Sequence, residues 1–170
     1  MNTELPIGVC SWCIDRHDAC RGIEVAGHEL GLRFAQIGFF TEQAVRSADP
    51  AVILEATRTA DVTLVGVFIA FEGEDYASIA RIAATGGFIP DNSYASRLAI
   101  TRAVTDLAAV LRCPFLSVHA GTVPSDVTSP LYTKLLDRVR EVADYAAGRG
   151  LRLLLETGRE SAVALLRFID

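Results

Sequence analysis

The sequence predicts a parallel α/β protein built from five consecutive β-α units. Three observations predict it. Short apolar runs, of which Leu151-Arg152-Leu153-Leu154-Leu155 is the plainest, read as strands of a sheet covered by helices. Stretches with helical periodicity alternate with these runs. No Pro-, Gly- or Ser-rich linker separates any two units, so residues 1–170 read as a single domain.

The first strand is expected over about Ile7–Trp12, and a helix follows over about His17–Leu30. Gly31 suits the left-handed end of that helix. The second strand runs from about Arg33 to Phe39. Asp49-Pro50 is a helix start, because Asp can cap and Pro fits the first turn. That helix runs to about Ala60, and the third strand spans Val62–Ala70, rich in Val and Ile. Phe71-Glu72-Gly73-Glu74-Asp75 reads as a solvated acidic loop with a helix cap, the alternative being a lid over a site. A short helix follows to about Ala84, and Gly86-Gly87-Phe88-Ile89-Pro90 breaks the chain.

A long helix is expected from about Asn92 to Arg112, with Ile100, Val104, Leu107 and Leu111 as its buried stripe. The fourth strand, Pro114–Val118, leads into His119-Ala120-Gly121. The next helix carries Leu131, Leu135, Val139, Val142 and Ala146, and it ends at Gly148 and Gly150. The fifth strand ends at Leu155, followed by Glu156-Thr157-Gly158, and a last helix begins near Glu160.

Repeated β-α units give right-handed crossovers and two candidate architectures. One is an open doubly wound sheet, which the length suits. The other is a (β/α)₈ barrel, which typically takes about 250 residues. No strand is followed by G-x-G-x-x-G or a P-loop sequence, which counts against the open nucleotide-binding sheet. Sequential strand order is expected of the barrel. A doubly wound sheet would place the third strand beside the first.

Composition narrows the function. The chain is 51% hydrophobic and 22% charged, an ordinary globular balance, and its net charge of -5 with no basic run disfavours charge-driven nucleic-acid binding. It has no apolar stretch of about 18 residues, so no membrane span is expected. Met1-Asn2-Thr3-Glu4 shows no signal-peptide pattern, and Cys10, Cys13, Cys20 and Cys113 are expected to be reduced thiols. A cytoplasmic location is the expectation. Cys10 and Cys13 have redox spacing but would lie on one strand with opposite orientations, which argues against redox chemistry. His17 and His28 read as surface residues.

In parallel α/β proteins, chemistry gathers at the carboxyl ends of the strands. Glu156 and His119 stand at two such ends, one carboxylate and one imidazole. Together they begin a divalent metal site, for Mg²⁺ or Mn²⁺ with oxygen ligands or Zn²⁺ with His plus carboxylate. Trp12, at the end of the first strand, could stack on a sugar face or plug a barrel. Phe39 and Phe40, at the end of the second, could line a pocket or fill the core.

These strand-end motifs resemble the xylose-isomerase-like TIM barrels, which include sugar-phosphate isomerases and epimerases and the endonuclease IV group. The residues that carry the resemblance are Gly8-Val9-Cys10-Ser11-Trp12, Gln36-Ile37-Gly38-Phe39, Val118-His119-Ala120-Gly121 and Leu154-Leu155-Glu156-Thr157-Gly158. The resemblance covers the amino-terminal part of such a barrel and leaves about three β-α units of it unaccounted for. It implies that Glu156 binds a divalent metal and moves a proton and that His119 is a metal ligand; His119, Trp12 and Phe39 are the candidate substrate contacts read from their strand-end positions.

The activity so implied is a metal-dependent sugar or sugar-phosphate isomerase or epimerase, working by proton transfer through an enediolate. One alternative is an endonuclease IV-like phosphodiesterase. It is disfavoured by the acidic charge and by the absence of a histidine at the end of the third strand. The other is an inactive partial barrel, either a fragment of a longer gene product or a half-barrel that assembles with another copy through its edge strands. The expected partners are a small sugar and a second copy of the chain, with no membrane.

Overall fold

The computed structural model describes residues 5–156 and 160–170. The predicted turn at Thr157-Gly158 and the segment Met1–Glu4 lie outside the described residues. Five strands form one sheet: β1 (Gly8–Cys10), β2 (Phe34–Phe39), β3 (Thr63–Ile69), β4 (Phe115–Val118) and β5 (Arg152–Leu155). Their spatial order is β1-β2-β3-β4-β5 and every neighbouring pair is parallel. The third strand lies beside the second, not the first, as the barrel reading requires.

Among the described residues, seven α-helices connect or follow the strands: α1 (Ala19–Glu24), α2 (Glu42–Ser47), α3 (Pro50–Ala60), α4 (Ile79–Thr85), α5 (Asp91–Val110), α6 (Pro130–Gly148) and α7 (Ala162–Ile169). Asp49 caps α3 by accepting the Ala51 N–H at 2.8 Å, and Pro50 opens it. Gly31 takes the expected left-handed conformation, with φ 65°. Three local differences from the sequence expectation have physical causes. The first strand stops at Cys10, because Ser11–Cys13 tighten into a 3₁₀ turn. The first helix widens into a π-type segment over Val25–Glu29. Thr41 caps an additional short helix, α2, by accepting the Ala44 N–H at 3.1 Å.

Side-chain alternation sorts the sheet into two faces. Ala35, Ile37 and Phe39 of β2 share one face with Val67 and Ile69 of β3 and Leu116 and Val118 of β4, and all belong to the main core. The opposite face carries Cys10, Gln36, Gly38, Phe68, Ser117 and Leu154 in register. A sheet clothed by helices on one face only is the barrel arrangement; a doubly wound sheet would cover both. The apolar run of β5 reads as a strand covered by helices, but Leu154 on its inner face is 43% exposed. An extra residue in β3, at the break between Ala35 and Gln36 in the β2 register, bends the sheet locally.

The buried side of α5 also departs from the expected stripe. Arg97, Thr101, Thr105 and Ala108 are buried there with Val104, while Ile100 and Leu107 are only partly buried. Thr101 and Thr105 tolerate burial because their hydroxyls donate to the carbonyls of Arg97 and Thr101, both at 2.7 Å. Tyr132, Leu135, Val139, Val142 and Ala146 form the buried stripe of α6. Among the described residues, no helix is long and apolar enough to cross a membrane.

Candidate active site

Glu156 and His119 occupy equivalent positions on adjacent strands. Val118 pairs with Leu155, and each candidate is the next residue along its strand. The Glu156 N–H donates to the Val118 carbonyl at 2.9 Å, so the parallel ladder runs one step past β5. Both side chains therefore belong to the inner face at one rim, beyond Ser117 and Leu154. Glu156 is exposed and His119 half-buried. The His119 Nδ1 is buried without a hydrogen-bond partner among the described residues. An unpaired buried ring nitrogen is costly and suits a ligand that is bound during function.

Burial pushes the Cys10 thiol up first, and then Cys13 and Glu156 add to it. A thiol held protonated in this way is the reverse of an activated redox cysteine. All four cysteines are free, and Cys13 sits exposed in the 3₁₀ turn rather than on the strand. The Cys10 Sγ points to Gln36 Oε1 at 3.8 Å across the inner face. His17 and His28 are exposed, as expected.

Trp12 reaches the same face from the turn after β1. Its ring centroid lies 5.0 Å from Phe68 and 6.0 Å from Phe40, and Phe40 lies 5.9 Å from Phe68. Gly38 makes this cluster possible, because any Cβ there would run into the Trp12 indole and the Phe40 ring. The Arg16 guanidinium covers Phe40 with its carbon 4.4 Å from the ring centre. Phe39, expected at the substrate, is not brought to this site. It is 5% exposed, pairs with Ile69 and sits in the helix-covered core. The alternation that buries Phe39 turns Phe40 to the inner face. Strand period alone would have separated the two, had one inward residue been known to anchor it.

Tyr76, in the loop after β3, and Arg97, on α5, went unmarked in the sequence: Tyr76 is held locally by Glu74, while Arg97 reaches the loop through contacts 10 to 25 residues apart.

No protein-family model matches the chain, and no curated protein matches it. Solved structures do. A xylose isomerase domain protein from Planctomyces limnophilus is 30% identical, with a TM-score of 0.78, over 96% of this chain and 57% of that one. The chain has the fold of the amino-terminal portion of a xylose-isomerase-like TIM barrel. D-allulose 3-epimerase from Methylomonas sp., solved in complex with D-allulose, shares the fold at 17% identity and a TM-score of 0.66, over 96% and 57% of the two chains. So does a xylose isomerase-like TIM barrel protein from Mycobacterium smegmatis in complex with magnesium, at 13% identity and a TM-score of 0.66, over 96% and 60%. The chain thus spans a little over half the length of the solved barrels it matches.

As a metal centre, the described site is partial. One imidazole with a free buried nitrogen and one carboxylate at the same rim fit a divalent ion. No group of three or more His, Cys, Asp or Glu side chains among the described residues could hold one. Those two side chains are fewer than the three or more protein ligands usual for a catalytic zinc site.

Proposed function

We propose that the protein is a divalent-metal-dependent isomerase or epimerase acting on a sugar or sugar phosphate, with Glu156 as proton-transfer base and ligand and His119 as ligand. The observation that carries it is the shared rim of Glu156 and His119, with the His119 Nδ1 left unpaired. The similarity to an epimerase solved with D-allulose and to a barrel solved with magnesium supports the same assignment.

A bound divalent ion would supply Lewis-acid polarisation of the sugar carbonyl. Glu156 would remove the proton from the carbon beside that carbonyl to give the enediolate and, in isomerisation, return it to the former carbonyl carbon, whereas epimerisation needs a second acid on the opposite face of the sugar. His119 holds its ring at the rim because β4 fixes the backbone on one side and Ala120 is buried on the other. Trp12, Phe40 and Phe68 present an apolar floor on which the C–H face of a sugar can rest. The full-length protein should bind Mn²⁺ and exchange solvent deuterium into a ketose. Failure of exchange across the D-ketohexoses and their monophosphates, in protein loaded with Mn²⁺, would reject this reading.

A further inference from the structure

The acidic loop after β3 is exposed at Glu72 and Gly73 and leads into the Ser78 cap of α4, yet Glu74 and Asp75 tie it down. The Glu74 carboxylate is fully engaged. Its Oε1 accepts the Gly87 N–H at 2.7 Å, and its Oε2 accepts the Tyr76 hydroxyl at 3.1 Å and the Phe71 N–H at 3.5 Å. The Asp75 N–H donates to Thr85 Oγ1 at 2.9 Å, and Asp75 pairs with Arg81 at 2.7 Å. Arg97, 5% exposed, clamps the same span. Its guanidinium donates to the carbonyls of Thr85 at 2.8 Å, Gly87 at 2.5 Å and Glu72 at 3.1 Å.

The clamp continues to the end of β4. The Phe88 N–H donates to the Ala120 carbonyl at 2.8 Å, one residue past His119. The β3 loop is thereby tied to the strand end that carries His119, forming a fixed wall of the site.

One large group on this wall is left outward. Tyr76 is 66% exposed although its hydroxyl is held by Glu74. Packing does not explain that position. A phenol that donates to Glu74 keeps its oxygen lone pairs for a second partner. The loop leaves the carboxyl end of β3, so it stands at the rim that holds Glu156. Tyr76 is also near enough to Glu156 and Arg16 to feel both charges. Although the residue is 66% exposed, partial desolvation of the phenol first, then Glu74 and Glu156, push it up to about 12, so it remains a neutral hydroxyl at physiological pH.

We propose that Tyr76 is a specificity-determining residue, whose Glu74-held oxygen accepts a hydrogen bond from one hydroxyl of the bound sugar. The proposal rests on the sugar reading above. It deepens that reading by assigning one hydroxyl of the substrate to one protein atom.

The test uses the full-length protein with Mn²⁺ and calorimetric titration of the D-ketohexoses, their monophosphates and the monodeoxy analogues of whichever sugar binds most tightly. Y76F should weaken that sugar about three- to tenfold, the loss of one modest hydrogen bond. It should leave Mn²⁺ affinity unchanged and lower the melting temperature by no more than a few degrees, the loss of one exposed hydrogen bond to Glu74. One deoxy analogue should bind wild type more weakly than the parent sugar, yet bind wild type and Y76F alike. Turnover of Y76F should show the loss in KM rather than kcat. Equal affinity of Y76F and wild type for the parent sugar would overturn the role of Tyr76 and leave the sugar reading standing. If wild type bound none of the sugars, the sugar reading would fall, and the role of Tyr76 with it.

Discussion

The Glu156 amide donates to the carbonyl of Val118, the residue just before His119, at 2.9 Å. That single bond sets the carboxylate and the imidazole at one level on one face of neighbouring strands. A slip of one residue in either strand would send one of the two side chains to the opposite face.

Glu156→Gln in the full-length protein should therefore separate chemistry from folding. The side chain is exposed, so thermal stability should change little, within about 0.5 kcal/mol. Deuterium exchange into substrate should fall by about 100-fold or more, the usual range for loss of a general base. Parallel melting curves and exchange rates check both.

His119→Ala should weaken Mn²⁺ binding. Removing residues that merely support a metal ligand already costs about 10- to 100-fold in affinity. Loss of a direct ligand should cost at least as much. Calorimetric titration of the variant with Mn²⁺ gives the comparison, and unchanged affinity would remove His119 from the ligand set.

Phe39 and Phe40 should respond differently to truncation. Phe39→Ala empties a closed core and should cost about 3–5 kcal/mol in urea unfolding. Phe40→Ala, at a half-buried position in the aromatic cluster, should cost about 1–2 kcal/mol. Similar losses for the two would contradict the assignment of Phe39 to the core and Phe40 to the inner face.

Gly87→Ala should destabilise the rim. Gly87 has φ 55°, and an added Cβ would overlap the Ala120 carbonyl group. Backbone strain alone is worth about 1–3 kcal/mol, before the overlap is relieved. Denaturant unfolding should show a loss at the upper end of that range or beyond it.

The acid limb of stability should include Asp91. Lys134 first, then Arg138, hold its carboxyl below the ordinary value of 3.8. The salt bridges are 3.0 Å and 2.5 Å long. A depressed carboxyl contributes stability that is present above the unfolded value and lost as pH falls through the folded one. The stability difference between wild type and Asp91→Asn should hence be flat above about pH 5 and shrink toward zero in acid. A difference that grows as pH falls would reverse the sign and refute the pairing.

Several features were legible in the chain by itself. The β-α alternation, the Asp49-Pro50 helix start, the stripe of α6 and the strand-end positions of Glu156 and His119 all follow from local rules. Periods of two or 3.6 residues and capping chemistry are written into neighbouring residues. The tertiary structure alone decided which of Phe39 and Phe40 faces inward, because alternation needs a register and the register comes from β3. It alone placed the polar face of α5 inward, since a buried Arg97 is tolerable only where the Thr85, Gly87 and Glu72 carbonyls converge on it. Glu74 likewise meets Gly87, and Phe88 meets Ala120, through bonds between segments 13 residues apart and more. Such contacts are set by the closing of the chain on itself, and no local window of sequence carries them.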